Sequence, residues 1–381
     1  MACALEMTKQ LIAFDTTSRN SNLELIGFAQ ELLEALGARV RLSYDGGHSK
    51  ANLFASFGPN ADGGIVLSGH TDVVPVDGQD WSSDPFAPEV RDGCLYGRGS
   101  ADMKGFIGCV LALAGELAEA RLREPVHVAL SFDEEVGCAG VTTLLADLKE
   151  AAIRPRLAII GEPTLMHPVG AHKAGAVLLT RCHGKEGHSS KPHLGANAVM
   201  MAGEFVAFLA EFGEELKADQ DVRFDPPYTT LQANRIMGGT AVNVLARDCE
   251  ISWEYRALPD RDHESLVPRI EQHLNDVILP KYRRHGVEAR FETQLIARYP
   301  GLCFDEQSPA AALACELTGI NGLEAVAYGT EAGHFQQAGV HAVICGPGSI
   351  DQAHKADEFV ALSELESCSQ FLRKLITKLA A

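Results

Sequence analysis

Basic residues are scarce in this 381-residue chain, and long apolar runs are missing from it. It has 33 Lys and Arg against 51 Asp and Glu, a formal net charge of −18. That balance argues against a nucleic-acid or anionic membrane-surface partner, because both need a basic face. The longest apolar candidate, Phe106–Gly115, is cut off by Glu116 well short of the roughly 18–20 residues that cross a bilayer. We therefore expect no nucleic-acid partner and no membrane partner.

Paired cysteines and a targeting signal are also missing. The ten cysteines stand singly, with no C-x-x-C spacing, which argues against a disulfide framework or a cysteine-ligated zinc site. The first residues, MACALEMTKQ, lack the basic and apolar stretches of a secretory leader. These absences predict a cytoplasmic protein with free thiols.

The first part of the chain alternates between helical and strand patterns. Apolar spacing predicts helices over Leu23–Leu36, Phe106–Leu122 and Gly140–Lys149, and strands over Asn52–Phe57, Ile65–Ser68, Val126–Phe132 and Leu157–Ile160. Strands that alternate with helices indicate a largely parallel sheet with helices on both faces.

The middle of the chain follows a different order, strand–helix–strand–strand–helix. The predicted elements are Ala176–Cys182, Ala196–Leu216, Thr230–Met237, Cys249–Arg256 and His263–Tyr282. After about residue 290 the alternation resumes, with helices near Ser308–Leu317 and Ser363–Leu379. We predict an α/β protein: a discontinuous domain over residues 1–174 and 291–381, with a mostly parallel sheet, interrupted by a smaller α+β domain over 175–290.

Four segments place histidine or carboxylate side chains where a predicted strand ends. They are LSGHTDVVP with His70 and Asp72, YGRGSADMKG with Asp102, ALSFDEEVG with Glu134 and Glu135, and LAIIGEPT with Glu162. Taken alone, His70 is better explained as a polar strand cap and Asp102 as a turn residue, and the glutamates could be helix-start or turn residues. Ligands collect at the carboxyl ends of strands in an open α/β sheet, and crowded carboxylates repel one another unless cations neutralise them. Their convergence therefore favours a metal site.

The chemistry of that site follows from the residue types. Imidazole combined with carboxylates suits zinc, although cobalt or manganese would also fit. Asp72 lies two residues beyond His70 on an extended chain, so it faces the same side and can orient the imidazole. A carboxylate that is not a ligand could act as general base on a water activated by the metal. The motifs H-E-x-x-H, G-x-S-x-G and G-x-x-x-x-G-K-S/T are all absent from the sequence.

Longer segments resemble the dizinc aminoacylase and carboxypeptidase family of metallohydrolases. The stretch from SGHTDVVP to SADMKGF resembles its leading signature, and the later segments DEEVG, GEPT, GKEGHSSKPHLGANAV, NVLARDCEISWEYRALPD, GTEAGHFQ and GPGSIDQAHKADEF follow in the family's order. They span about residues 65 to 360. Within the family, GTEAG and GPGSIDQAHKADEF most resemble the acetylornithine deacetylases. Desuccinylases carry T-S-D where this chain has Thr330-Glu331-Ala332, and Asn where it has Ile350.

The resemblance implies a role for each matching residue. It implies two zinc ions per subunit, with Asp102 bridging them, His70 and Glu162 on one ion, and Glu135 and His354 on the other. It also implies that Glu134 is general base and then general acid, and that Asp72 orients His70. The Asp102–Met103 peptide bond would be cis. His188, supplied by the inserted domain of a partner subunit, would help to hold the oxyanion.

The same resemblance suggests how substrate and partner bind. Asn243 and Arg256 match substrate positions of the inserted domain, Arg298 is a weaker candidate for the substrate carboxylate, and Gly329 and Thr330 would line the amino-acid pocket. Glu331 could attract a cationic side-chain amine. The inserted domain would act as a lid and form a homodimer.

The expected reaction is deacetylation of N2-acetyl-L-ornithine to L-ornithine and acetate, a step of arginine biosynthesis. Several alternatives stay open at this point. The substrate could be a succinylated diamino acid such as succinyl-diaminopimelate, another N-acyl amino acid or a dipeptide. The chain could also be a metal-binding relative without catalysis, or a protein that binds a partner through the inserted domain alone.

Overall fold

The computed structural model describes residues 3–283 and 287–380 of the chain. These residues form two compact units. The first is built from the described residues within 1–171, 302–325 and 330–381, and the second from those within 172–301 and 326–329. None of the described helices combines the length and the apolar character that crossing a bilayer requires.

The described residues contain seventeen strands and eleven α-helices. The strands are β1 (Arg39–Tyr44), β2 (Ala51–Phe57), β3 (Ile65–His70), β4 (Glu89–Arg91), β5 (Cys94–Tyr96), β6 (Val126–Ser131), β7 (Leu157–Pro163), β8 (Val169–His172), β9 (Ala174–His183), β10 (Gly187–His188), β11 (Thr230–Gly238), β12 (Val244–Leu245), β13 (Asp248–Ala257), β14 (Arg290–Tyr299), β15 (Glu324–Val326), β16 (His341–Gly346) and β17 (Phe359–Ala361). The helices are α1 (Ala4–Ile12), α2 (Leu23–Ala35), α3 (Lys104–Ala112), α4 (Ala114–Glu119), α5 (Ala139–Glu150), α6 (Ala198–Leu216), α7 (Leu266–His273), α8 (Leu279–Tyr282), α9 (Pro309–Thr318), α10 (Ala332–Gln337) and α11 (Leu362–Leu379).

An eight-stranded sheet organises the first unit, in the order β1-β2-β6-β3-β7-β16-β8-β15. Its centre is parallel, because β3 pairs in parallel with both β6 and β7, and β16 pairs in parallel with β7. Strand β2 pairs in antiparallel fashion with both β1 and β6. The central strands are buried along their whole length, which explains why they read as continuous apolar runs.

Glycines allow the helices of this unit to pack closely. Helix α3 lies against α1 at Gly108, where a Cβ atom would come within 2.1 Å of the Thr8 hydroxyl oxygen. It also lies against β7, since a Cβ on Gly161 would come within 1.9 Å of the Phe106 ring. These close contacts place the start of α3, and the Asp102 loop before it, beside the ends of β3 and β7.

The second unit is a four-stranded antiparallel sheet in the order β11-β13-β9-β14. Burial alternates along β9 and β13, and the buried residues form a core with α6 and α7. Helices α7 and α8 are joined by a π-helical turn over Leu274–Ile278. The unit is therefore an α+β arrangement with one face of its sheet covered by helices.

The predicted fold class is confirmed: the protein is α/β, with a large sheet that is parallel in its centre and a smaller α+β unit. Helix α1 and strand β1 were not predicted, and the predicted helix Phe106–Leu122 is divided into α3 and α4. The second domain junction also lies elsewhere. It was predicted at residue 290, but β14 pairs with β9 from Arg290 to Tyr299 with a single bulge at Ile296, so the chain leaves the second unit only near residue 301.

Candidate metal centre

The parallel strands of the large sheet deliver the candidate ligands to one edge. His70 is the last residue of β3, and Glu162 lies near the end of β7. Glu134 and Glu135 follow β6, whose register with β3 places Ser131 opposite His70. Asp102 comes from the loop before α3, and its peptide bond to Met103 is cis, as the resemblance implied.

His70, Asp102 and Glu162 form the first group of side chains that could hold a metal ion. One potential ligand atom from each residue lies within 4.8 Å of the other two. The Nε2 atom of His70 is 2.9 Å from Oδ1 of Asp102 and 3.7 Å from Oε1 of Glu162. All three residues are buried.

Asp102, Glu135 and His354 form the second such group. The Nε2 atom of His354 is 3.0 Å from Oε2 of Glu135 and 3.4 Å from Oδ2 of Asp102. Asp102 thus belongs to both groups and presents a different oxygen atom to each. That is the arrangement expected of a carboxylate that bridges two ions.

Charge is unbalanced in this cluster. Burial raises the pKa of Glu162 well above its usual range and that of Glu135 to about 7, and Asp102 adds to both effects. Burial acts the same way on Asp102, but hydrogen bonds with His354 and His70 outweigh it and lower its pKa. Hydrogen bonds to Asp102 and Glu135 raise the pKa of His354 to about 10.

The residues present fit a pair of divalent cations. Within the described chain, Oε1 of Glu162 is buried and accepts no hydrogen bond, although a buried carboxylate oxygen normally has a partner. Two imidazoles and three carboxylates are a donor set that zinc, cobalt or manganese can use. A cation at each group would supply the charge that crowded carboxylates lack.

Glu134 stands beside the two groups without belonging to either. Burial raises its pKa well above the usual range, and the neighbouring carboxylate of Glu135 adds to the effect. Its Oε1 atom accepts a weak hydrogen bond from the Cys138 thiol at 3.5 Å. A buried carboxylate that stands beside a candidate metal centre without belonging to it has the position of a general base.

Asp72 contacts both the imidazole of His70 and the turn that carries Glu134. The Nδ1 atom of His70 donates to the backbone carbonyl of Asp72 at 2.9 Å, while the nearer carboxylate oxygen is 3.7 Å away. The Asp72 carboxylate accepts the backbone N–H groups of Glu134 and Glu135 at 3.0 and 3.3 Å, and the Ser18 hydroxyl at 2.7 Å. The backbone of Asp72 therefore orients the ring, while its side chain positions the turn that carries Glu134 and Glu135.

Two lysines near this centre, the half-buried Lys50 and the buried Lys104, had no part in the sequence interpretation. Lys50 pairs with Asp133 and donates to the carbonyl of Ser18. Lys104 donates to the carbonyl of Phe14 at 2.8 Å. The residues next to them in the sequence did not indicate a place near the site, because the long-range contacts of a lysine depend on the folded backbone.

His188 and Asn243, both in the second unit, are brought together. Strands β10 and β12 pair, with His188 opposite Val244, and the N–H of Ser189 donates to the carbonyl of Asn243 at 3.0 Å. The His188 side chain is exposed, and its Nδ1 atom lies 2.8 Å from the Ser190 hydroxyl. An exposed imidazole on a short ladder is free to contact another molecule.

Arg256 and Arg298 lie on opposite faces of the four-stranded sheet. Arg256 is directly opposite Gly175, which is opposite Tyr299. Arg298 is opposite Ala176, whose other neighbour is Tyr255 on the helix-covered face. Directly paired residues share a face, so the two guanidinium groups diverge. Arg298 already donates to Glu264 at 2.8 Å, whereas Arg256 has a long contact to Glu254 at 3.5 Å.

Gly329 and Thr330 have structural constraints of their own. A Cβ atom on Gly329 would come within 2.0 Å of the Tyr299 ring. Thr330 is fully buried, and its hydroxyl accepts the N–H of Ala332 at 3.0 Å at the start of α10. Glu331 is buried too: burial raises its pKa to about 7, and the Ser68 hydroxyl donates to it at 3.3 Å.

Comparison with known proteins identifies the family of this chain. The model of the peptidase family M20/M25/M40 matches residues 66–378. The acetylornithine deacetylase of Pasteurella multocida is 35% identical over 380 residues, 98% of this chain and 97% of that protein. That of Myxococcus xanthus is 37% identical over 376 residues, covering 96% and 95%.

A solved structure shows the same fold at low sequence identity. An M20 family metallo-carboxypeptidase of Sulfolobus solfataricus superimposes with a TM-score of 0.77 and 17% identity, over 100% of this chain and 99% of that one. The fold, the two candidate ligand groups and the match over most of the sequence lead to one conclusion. This chain belongs to the peptidase family M20/M25/M40 and is a metallohydrolase.

Proposed function

We propose that this enzyme removes the acetyl group of N2-acetyl-L-ornithine, in a step of arginine biosynthesis, with the help of two metal ions. The observation that carries the proposal is that Asp102 is shared between two groups of candidate ligands, beside Glu134, which belongs to neither group. Full-length identity of 35–37% to acetylornithine deacetylases supports this choice of substrate over a succinylated or peptide substrate.

The metal ligands would be His70, Asp102 and Glu162 at one site and Asp102, Glu135 and His354 at the other. Zinc is the ion we propose, with cobalt or manganese as substitutes. When bound, the ions would polarise the scissile carbonyl and lower the pKa of the attacking water.

Glu134 would accept a proton from that water while the water oxygen bonds to the carbonyl carbon of the acetyl group. It would then donate the proton to the amine nitrogen as the carbon–nitrogen bond breaks, which gives acetate and L-ornithine. Asp72 supports this role, because its carboxylate holds the N–H groups of Glu134 and Glu135. His188 would donate a hydrogen bond to the oxyanion.

A homodimer would supply His188 to the site of the neighbouring subunit. The edge strand β11 and the start of α6 support such a contact, since they expose the apolar residues Ile236, Met237, Val199 and Met200. An exposed apolar edge strand pairs readily with another strand. We propose that this edge faces a second copy of the chain, and that the second unit acts as a lid.

Four of the predicted residues are proposed to recognise the substrate. We propose that Asn243 and Arg256 bind the substrate α-carboxylate, since Arg256 has no short ion pair among the described residues. Gly329 and Thr330 would shape the amino-acid pocket through the backbone, because the Thr330 hydroxyl is already engaged. We also propose a cytoplasmic location, which the ten free cysteines support.

The deciding experiment measures amine release by metal-loaded and chelated protein. The panel contains N2-acetyl-ornithine, N-acetyl-methionine, N-succinyl-diaminopimelate and a dipeptide. Metal-dependent turnover that is fastest on N2-acetyl-ornithine would support the proposal. Preference for another compound would overturn the substrate but leave the centre intact, and silence on all four with metal bound would favour a non-catalytic relative.

A further inference from the structure

His354 differs from the other candidate ligands in how it is held. Its side chain is 54% exposed, whereas the side chains of the other four are between 1% and 7% exposed. Its backbone also adopts a left-handed conformation with φ of +63°, which is unfavourable for a non-glycine residue. Core packing therefore cannot fix this ligand, and other contacts must do so.

The segment that carries His354 is held by side chains from elsewhere in the first unit. The Nε2 atom of Gln79 donates to the carbonyl of His354 at 2.9 Å. The Nη1 atom of Arg98 donates to the next carbonyl, that of Lys355, at 3.3 Å. These two bonds fix successive peptide planes at the point where the backbone turns.

A single buried carboxylate, that of Glu358, holds the loop that carries Asp102. It accepts the backbone N–H groups of Gly99, Ala101 and Asp102 at 2.9–3.0 Å. It also accepts a hydrogen bond from Nη1 of Arg98 at 2.7 Å. Both ends of this ion pair are at most 1% exposed.

Arg98 connects the two halves of this arrangement. Its Nη2 atom donates to Oε1 of Gln79 at 2.5 Å, and the guanidinium stacks over the Trp81 ring at 5.0 Å. A buried ion pair repays its desolvation only when further hydrogen bonds satisfy its remaining atoms. Nε of Arg98 has no partner among the described residues, and the further bonds of the pair lead to the two loops that carry ligands of the second group.

We propose that Gln79, Arg98 and Glu358, together the Arg98 clamp, position Asp102 and His354 relative to each other and thereby set the affinity of the second metal site. The inference rests on the dinuclear centre of the proposed function. None of the three residues is a ligand, so the clamp acts through the backbone of those that are. Loss of such supporting contacts typically lowers metal affinity about 10- to 100-fold.

The test is a calorimetric titration of metal-free protein with Zn²⁺, followed by Co²⁺. The variants are Gln79→Ala, which removes a half-buried side chain, and Arg98→Lys, which keeps the positive charge but loses the planar guanidinium with its two Nη donor atoms. His354→Ala marks the loss of a ligand. Arg156→Lys is the matched control, because Arg156 forms a bidentate pair with Glu124 at 2.9 and 2.6 Å on the surface of the same unit.

We expect the wild type and Arg156→Lys to bind two ions. Gln79→Ala and Arg98→Lys should retain the first ion at wild-type affinity and bind the second about 10- to 100-fold more weakly. Glu358→Gln should act in the same direction. The melting temperature of each metal-free variant would be measured to check that the chain remains folded. If Arg98→Lys unfolds, Gln79→Ala alone tests the proposal.

Three outcomes would overturn the clamp. Two ions bound at wild-type affinity by Gln79→Ala and Arg98→Lys would remove its role, and equal weakening of both ions would make it a general structural element. A wild type that binds a single ion would overturn the clamp together with the dinuclear centre. Absence of N2-acetyl-ornithine hydrolysis with two ions bound would refute the proposed substrate and leave the clamp standing, because the titration needs no substrate.

Discussion

Glu134 is the residue on which the proposed reaction depends. Its carboxylate belongs to neither ligand group, and its pKa is raised by burial, so it is suited to carry a proton between water and the leaving amine. Replacement by Gln keeps the size of the side chain but removes the base. We expect Glu134→Gln to lower kcat about 10²- to 10⁴-fold.

The control for that variant is its metal content. Glu134→Gln should still bind two ions, since no ligand is lost. Activity close to that of the wild type in a variant with full metal content would show that another group acts as the base.

His334, in helix α10, makes a separate prediction about pH. Burial lowers its pKa to about 4 from an ordinary 6.5, and its Nε2 atom has no hydrogen-bond partner among the described residues. Between pH 6.5 and 4 the unfolded chain binds a proton at this ring that the folded chain does not. Its contribution to the free energy of unfolding is therefore fully present above pH 6.5 and falls by about 3 kcal/mol as the pH drops to 4.

The measurement is chemical unfolding of the wild type and His334→Gln between pH 4 and 7. The variant should lose less stability on acidification than the wild type does. His341→Gln, which changes an exposed histidine of the same unit, should follow the wild-type curve. Parallel curves for all three proteins would contradict the assignment.

At the scale of elements, the contact between β7 and α3 should tolerate no added volume. A Cβ atom on Gly161 would come within 1.9 Å of the Phe106 ring, whereas one on Gly203 of α6 would meet nothing within 4 Å. We expect Gly161→Ala to lower the free energy of unfolding by about 1–3 kcal/mol. Gly203→Ala should raise it by roughly 0.5–1 kcal/mol, because alanine favours the helix. Equal effects of the two changes, seen in urea unfolding, would refute this packing argument.

The faces of the four-stranded sheet separate the two candidate arginines. Arg256→Ala should raise KM for N2-acetyl-ornithine about 10- to 100-fold, the value of a lost charged hydrogen bond to the substrate. Arg298→Ala should change KM little, because Arg298 projects from the other face and is paired with Glu264. Steady-state kinetics of the two variants decide between them, and the reverse order would make Arg298 the substrate ligand.

At the scale of the whole molecule, the apolar edge strand predicts how the chain assembles. Ile236 on β11 is 51% exposed and Ile296 on the opposite edge strand, β14, is 53% exposed. We expect Ile236→Glu to convert a dimer into a monomer in light scattering, because it places a charge in the proposed interface. Ile296→Glu should leave the dimer intact. A wild type that is monomeric at micromolar concentration would refute the interface and the contribution of His188 to a second subunit.

Much of the fold was predictable because its signals are local. The buried strands β2, β3, β6 and β7 appear as short apolar runs between turn residues, and parallel sheets bury such strands on both faces. Strand β14 was not predicted, since its burial pattern is irregular and mostly exposed and only its pairing with β9 makes it a strand. The domain junction was therefore placed too early.

For this protein the sequence by itself determined the class of site, because residue type and position at strand ends decide which ions can bind and where they collect. His70, Asp102, Glu135, Glu162 and His354 were all predicted on that basis or from the family resemblance. Only the tertiary structure decided how those candidate ligands are held. The carbonyl of His354 is tied to Gln79, and three N–H groups of the Asp102 loop are tied to Glu358. Such contacts join residues more than 250 positions apart, which no local pattern encodes.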